Sequence, residues 1–139
     1  MRARPAGGAV DTQRLLTVDD VVAIACAEIG REHLPDHERL GEAVAEPMRR
    51  DEGRDMYPGV MLKAAALLLA MSRTRPYPVA NAKVSLLVTT VFLNRNGLDL
   101  QADDDELVAL VAIAATGALS VLQIAAALER FSLRLPQPG

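Results

Sequence analysis

The sequence predicts an all-α protein: a compact single-domain helical bundle in which two central apolar helices are wrapped by amphipathic ones. The chain has 139 residues, enough for one domain with a core. Half of its residues are hydrophobic but only 3% are aromatic, so Ala, Leu and Val supply the apolar mass, which favours tightly packed helices. Two segments, "MLKAAALLLAM" and residues 81–96, are apolar nearly all round, as central helices are. We expect the helical domain over residues 15–133, between a disordered tail of residues 1–14 and a loose tail of residues 134–139.

Capping and helix-breaking residues predict where the helices begin and end. We expect the first helix between Thr17 and Gly30, and the second from His37 to a break or kink at Pro47. The first central helix should begin at Pro58, and the second central helix should end at Gly97. The helix after it should begin at Asp103 to Asp105, and the last helix at Ser120.

Charge and cysteine content exclude several classes of function. The formal net charge is -3 with both signs spread along the chain, which argues against nucleic-acid binding and against a polybasic membrane surface. The single cysteine, Cys26, cannot form an internal disulfide, which fits a cytoplasmic protein. The stretch from Leu107 to Leu128 lacks charge and is long enough to span a bilayer. Gly117 and Ser120 indicate a helix break inside it, so we expect two buried helices and no membrane span.

Other chemical groups are better explained by structure than by function. His33 and His37 are four residues apart, but Pro35 lies between them and no third ligand has a recognisable spacing. We therefore expect no metal site there, and we place both histidines in a solvated loop remote from any site. Cys26 fits a small core residue, and the aspartates at 103–105 fit the N-terminus of a helix.

The segment "RPYPVANAKV", residues 75–84, leaves two interpretations open. The first amides of a helix beginning near Asn81 lack internal partners, and the Asn81 side chain, Lys83 and Arg75 could join them in holding a phosphate. Alternatively, the segment is a Pro-rich turn with Arg75 and Lys83 in solvent.

Four blocks of sequence, in the same order and spacing, resemble the Fic/Doc (Fido) family, most closely its Doc ("death on curing") toxin branch. "RPYPVANAK" occupies the position of the signature loop, His-x-Phe-x-Asp-x-Asn-Lys-Arg, and "VFLNRNG" resembles the end of the helix that follows. Upstream, "RLGEAVAEP" and "YPGVMLKAAALLLAM" resemble the branch's preceding helices, and "LVALVAIAATGALSVLQIAAALERF" resembles its last two. The resemblance covers residues 40–131.

The resemblance implies that the signature loop of this chain lacks the general base and the metal ligand of the family. The position of the family's general base is held by Arg75, which stays protonated and cannot accept a proton. The position of the acidic Mg²⁺ ligand is held by Val79, so no metal ligand remains there. Losing a general base commonly costs about 10² to 10⁴ in rate.

The remaining signature positions are partly kept. Tyr77 stands where the family has the Phe that anchors the loop, and Asn81 retains the Asn of the phosphate-binding nest. The branch's Lys is Ala82, and the Arg that contacts phosphate is Lys83, which keeps the charge and loses the bidentate fork.

Three hypotheses follow. The resemblance implies a toxin-family protein of a toxin–antitoxin system, with an antitoxin partner, ATP and Mg²⁺ as cofactors and elongation factor Tu as a target, and we expect its catalysis to be impaired or absent. An active kinase or nucleotidyl-transferase would need a replacement base, and nothing in the sequence places Asp55 or Glu52 near Lys83. The third hypothesis is a small helical protein-interaction domain without nucleotide chemistry.

Overall fold

The computed structural model describes residues 14–136, so residues 1–13 of the predicted N-terminal tail and residues 137–139 of the predicted C-terminal tail lie outside this range. The described chain contains six α-helices, one short 3₁₀ helix and four short strands. In order these are α1 Val18–Ile29, α2 His37–Ala45, the 3₁₀ helix Glu46–Met48, β1 Arg50–Asp51, β2 Arg54–Asp55, α3 Val60–Thr74, α4 Asn81–Arg95, β3 Leu98–Leu100, α5 Asp104–Ala115, α6 Val121–Phe131 and β4 Ser132–Arg134.

The predicted all-α bundle with two central helices is confirmed. Helix α3 packs against α2, α4, α5 and α6, and α4 also contacts α1 and α5. Both central helices contribute heavily to the core, including Leu68 and Met71 from α3 and Val88 and Phe92 from α4. These side chains cover several faces of each helix, which is why the sequence of α3 and α4 shows no wide polar stripe.

Local capping signals locate most helix ends correctly. The side chains of Thr17, Asp103 and Ser120 each accept a hydrogen bond from the backbone three residues later and begin α1, α5 and α6. Gly117 has a φ of 81° and separates the last two of these helices. The start of α3 was predicted two residues too early, because Gly59, with a φ of 93°, is its N-cap and Pro58 lies before it.

The strands were not predicted. The first hairpin pairs Arg50 with Asp55, within a segment interpreted as a connector. The second sheet joins β3 to β4, and the N–H of Leu135 continues this pairing by donating to the Gly97 carbonyl at 2.8 Å. The predicted loose tail therefore begins with residues that bond to the body of the domain.

The long uncharged stretch is divided between α5 and α6, and none of the helices in residues 14–136 has the length and hydropathy needed to cross a membrane. One face of α5 is nevertheless open. Val108 is 55% exposed and Ile113 is 45% exposed. The helix carries no charged residue after Glu106, so this exposed face is apolar.

Candidate functional site

The segment that carries the signature pattern forms the loop between the two central helices, residues 75–80, called here the α3–α4 loop. Both ends of this loop adopt left-handed backbone conformations in residues other than glycine. Arg75, which caps α3, has a φ of 51°, and Ala80, which precedes α4, has a φ of 60°. Such conformations cost roughly 1 kcal/mol or more each in residues with a Cβ, so the surrounding contacts must hold the loop in shape.

Asn81 supplies those contacts. Its side chain is 95% removed from solvent, and its Oδ1 accepts the N–H of Tyr77 at 3.1 Å. Its Nδ2 donates to the Met71 carbonyl at 2.9 Å and to Ser85 Oγ at 3.4 Å. The amide that the sequence analysis offers to a phosphate is thus engaged within the protein, where it joins the loop to the last turn of α3.

Tyr77 lies in the hydrophobic core with 1% of its surface exposed. Burial raises the pKa of its phenol, and the neighbouring Cys26 thiol raises that pKa further. Its hydroxyl has no hydrogen-bond partner among the described residues. The aromatic ring holds the middle of the loop against the core, while Pro78 and Val79 beside it are exposed.

The other signature positions face solvent. Arg75 and Ala82 are exposed, and Val79 is 48% exposed where the resemblance places an acidic metal ligand. Lys83 is exposed too, but its Nζ lies 3.1 Å from Oε2 of Glu28, on the last turn of α1. The cation that the sequence analysis assigns to phosphate binding therefore already has a carboxylate partner.

The N-terminus of α4 keeps backbone donors for an anion. No side chain in residues 14–136 caps this helix, and its first backbone bond runs from the Val84 N–H to the Ala80 carbonyl at 3.0 Å. The N–H groups of Asn81, Ala82 and Lys83 precede that bond and have no acceptor within the helix. These amides, with Lys83, are the part of the predicted phosphate site that fits an anion.

The loop between α1 and α2 carries His33 and lies against the α3–α4 loop, and His37 is the first residue of α2, so the expectation of a remote loop holding both histidines was wrong. The N–H of Asp36 donates to the Pro76 carbonyl at 2.7 Å. The Glu28–Lys83 ion pair joins the two helices next to these loops, the end of α1 and the start of α4. His33, in the same loop as Asp36, is partly buried, and its Nε2 lies 3.5 Å from Oε2 of Glu32. Hydrogen bonding between loops far apart in sequence has no local signal, which is why the sequence analysis missed this neighbour.

The residues present do not fit a bound Mg²⁺ ion. Within residues 14–136 no group of three or more His, Cys, Asp or Glu side chains could hold a metal ion. Val79 offers no oxygen where the resemblance requires a ligand, and Arg75, in the same loop, is a cation.

A second polar cluster, which the sequence analysis did not find, lies at the opposite end of α3. Lys63 is buried, and its Nζ donates to Oδ2 of Asp55 at 2.6 Å and to the carbonyls of Tyr57 and Pro47. The hydrogen bond from Lys63 is the main cause that lowers the pKa of Asp55. Asp55 contacts the first turn of α3, and about 15 Å or more of helix separates that turn from the α3–α4 loop. Asp55 is therefore held away from Lys83 and has a structural partner.

Tyr57 extends this cluster towards the surface. Its hydroxyl donates to Oε2 of Glu46 at 2.5 Å, and Arg49 lies 3.3 Å from the same oxygen. Burial, followed by the bond to Glu46, raises the pKa of Tyr57 to about 12. The cluster fastens the first hairpin and the 3₁₀ helix to α3.

An open groove of about 710 Å³ begins at the α3–α4 loop and follows α4 along its side facing α5, and we call it the α4–α5 groove. Its lining is mainly aliphatic, and two of its three charged side chains, Glu28 and Lys83, pair with each other. The lining residues are Glu28, Ala80, Ala82, Lys83, Leu86, Leu87, Thr90, Leu100, Ala102, Asp104, Leu107, Val108 and Val111. An apolar groove of this kind suits an apolar segment of a protein better than a nucleotide alone.

Comparison with known proteins agrees with the resemblance. No protein-family model matches the chain. The protein named Toxin Doc from Mycolicibacterium smegmatis is 34% identical over 88 residues, which make up 63% of this chain and 68% of that protein. The helical architecture is the one that the resemblance implies. The chain belongs to the Doc branch of the Fic/Doc family.

Proposed function

We propose that this chain is a toxin-family protein of a toxin–antitoxin system that binds a protein partner and has little or no transferase activity. One observation carries the proposal: Arg75 and Val79 are exposed side chains at the two signature positions where the family has its general base and its metal ligand. Arginine cannot accept the proton of an attacking hydroxyl, and valine cannot bind a cation. The frame of the loop, by contrast, is held in place by Asn81 and Tyr77.

Growth on expression tests this proposal. Production of the chain in a bacterium without an antitoxin should leave growth unchanged. The triple variant Arg75→His, Val79→Asp, Ala82→Lys, which replaces exposed residues only, should slow growth if the missing chemistry is the sole defect. Growth arrest by the unaltered chain, relieved by Lys83→Ala, would contradict the proposal.

We propose an antitoxin segment as the occupant of the α4–α5 groove. The groove starts beside the α3–α4 loop and has an aliphatic wall that continues along α4, which suits the apolar face of a partner helix. The product of the neighbouring gene should co-purify with this chain when the two are expressed together. Leu87→Arg, within the groove, should abolish co-purification. Met48→Arg, at an exposed apolar position outside the groove lining, should leave co-purification unchanged. Loss of co-purification with both variants would contradict the assignment of the groove to the antitoxin.

A second candidate function is an active transferase that uses His33 as its base, with ATP as the donor and elongation factor Tu as the protein acceptor. It is favoured by the hydrogen bond between Asp36 and Pro76, which holds the α1–α2 loop, residues 30–36, against the α3–α4 loop. Glu32, beside the imidazole, could orient it as carboxylates do in catalytic His pairs. Transferase activity that His33→Ala abolishes and His37→Ala preserves would support this candidate over the first.

A further inference from the structure

The outward face of α5 has the character of an interface. Val108 and Ile113 are 55% and 45% exposed, and Ala109 and Ala112 between them are exposed as well. No charged residue follows Glu106 within the helix. A helix that is apolar on every face is normally buried on every face, yet the described part of the chain covers only one side of this one.

We propose that this face binds a second copy of the chain, with the two α5 helices antiparallel about a two-fold axis. The face is uncharged, so a second identical face meets it without like-charge repulsion. All of the acids lie at one end, in Asp103 to Glu106. An antiparallel arrangement separates the two acidic ends, whereas a parallel one would place eight carboxylates side by side.

The spacing of the side chains fits the same arrangement. With the axis level with the point between residues 110 and 111, Val108 of one copy lies level with Ile113 of the second copy, and Ala109 lies level with Ala112. On a helix of 3.6 residues per turn, Val108 and Ile113 flank the two alanines on opposite sides. At each level the large side chains of the two copies therefore lie on opposite flanks, and the alanines allow a helix separation of about 8 Å.

The size of the face sets the expected strength. Helix α5 has 12 residues and is about 18 Å long, so one helix pair covers less than a standard protein–protein interface. We therefore expect a reversible dimer that dissociates in the micromolar range, and the α4–α5 groove, which shares only Val108 with this face, stays largely open.

Sedimentation velocity of the full chain, from low micromolar to several hundred micromolar, tests the proposal. The unaltered chain should shift from monomer to dimer with concentration, and Ala109→Glu and Ile113→Glu should each keep it monomeric. Both positions are exposed, so folding should be retained, and far-UV circular dichroism checks this. Met48→Glu, an exposed apolar position on the 3₁₀ helix, should dimerise normally. A monomer at every concentration, or a dimer unaffected by both α5 variants, would overturn the proposal.

Cross-linking tests the orientation of the helices. In a Cys26→Ala background, Ala112→Cys should be joined across the dimer by a short bis-maleimide, because the two copies of this position lie within one helical turn of each other. Asp105→Cys should not be joined, because antiparallel packing places its two copies at opposite ends of the interface. Efficient cross-linking of Asp105→Cys alone would rule out the antiparallel dimer.

Discussion

At the residue scale, the Tyr77 hydroxyl is a buried polar group without a described partner. Burial of a hydroxyl that makes no hydrogen bond has a desolvation cost that no interaction offsets. The resemblance places Phe at this position, which fills the same space without that cost. The residue keeps the ring that anchors the loop, and its hydroxyl serves no interaction visible in the fold.

Tyr77→Phe should therefore leave the free energy of unfolding unchanged or raise it by up to about 1 kcal/mol. Tyr57→Phe is the matched control: its hydroxyl donates to Glu46, so its loss should cost about 0.5–1.5 kcal/mol. Urea unfolding of both variants measures the difference. A clear destabilisation by Tyr77→Phe would mean that a bound water or another group satisfies this hydroxyl.

Asp55 makes the stability depend on pH. Its pKa is lowered in the folded protein, mainly by the bond from Lys63, from an ordinary value of 3.8. Its stabilising contribution is therefore present above about pH 3.8 and is lost as the pH falls through the lower, folded-state pKa. Asp55→Asn should cost about 1–3 kcal/mol at pH 7, because it leaves a buried ammonium group without its carboxylate.

The unaltered chain and Asp55→Asn should differ less in their free energy of unfolding when urea unfolding is repeated below about pH 3.8. Asp51→Asn, in the exposed partner strand of the same hairpin, should have little effect at any pH. If the difference in free energy of unfolding between the unaltered chain and Asp55→Asn stays constant down to pH 2, the bond to Lys63 does not lower the pKa of Asp55.

At the element scale, the N-terminus of α4 combines backbone donors that have no acceptor within the helix with a cation, Lys83, that is already paired with Glu28. Removal of the competing carboxylate by Glu28→Gln should tighten the binding of phosphate or of ATP without Mg²⁺ by about two- to fivefold, since an exposed ion pair is worth at most about 1 kcal/mol. Calorimetric titration measures this affinity, and Lys83→Ala should weaken it. Equal affinity in all three proteins would mean that the helix N-terminus does not bind anions.

The elements divide into those that the sequence could predict and those that it could not. The starts of α1, α5 and α6 depend on side chains within three residues of the helix, so Thr17, Asp103 and Ser120 identify them locally. The β3–β4 sheet joins segments more than thirty residues apart, and each strand has only three residues, too few for an alternating pattern to identify it. The contact of the α1–α2 loop with Pro76 is also long-range.

The candidate site shows the same division. The resemblance identifies the loop and the substituted positions from sequence alone. It does not reveal that the Asn81 amide is used to hold the loop, because the carbonyl of Met71 is brought to it only by the packing of α3 on α4. Nor does it reveal Glu28 as the partner of Lys83, because that contact depends on where α1 ends relative to α4.

At the scale of the whole molecule, the bundle and the chemistry of its loop are separable. The core holds the α3–α4 loop through Tyr77, Asn81 and the two central helices, none of which requires a base or a metal ion. A family member can therefore lose both and keep its fold. The surfaces that remain, the α4–α5 groove and the open face of α5, are apolar and suit protein partners.

The central claim is that the frame of the site is kept while its phosphoryl or nucleotidyl transfer is lost. The most direct test incubates the purified chain with ATP labelled on the γ-phosphate or on the α-phosphate, Mg²⁺ and elongation factor Tu, and measures label on the protein. We predict no transfer by the unaltered chain and measurable transfer by the variant Arg75→His, Val79→Asp, Ala82→Lys. Transfer by the unaltered chain at a rate that this variant does not exceed would contradict the account.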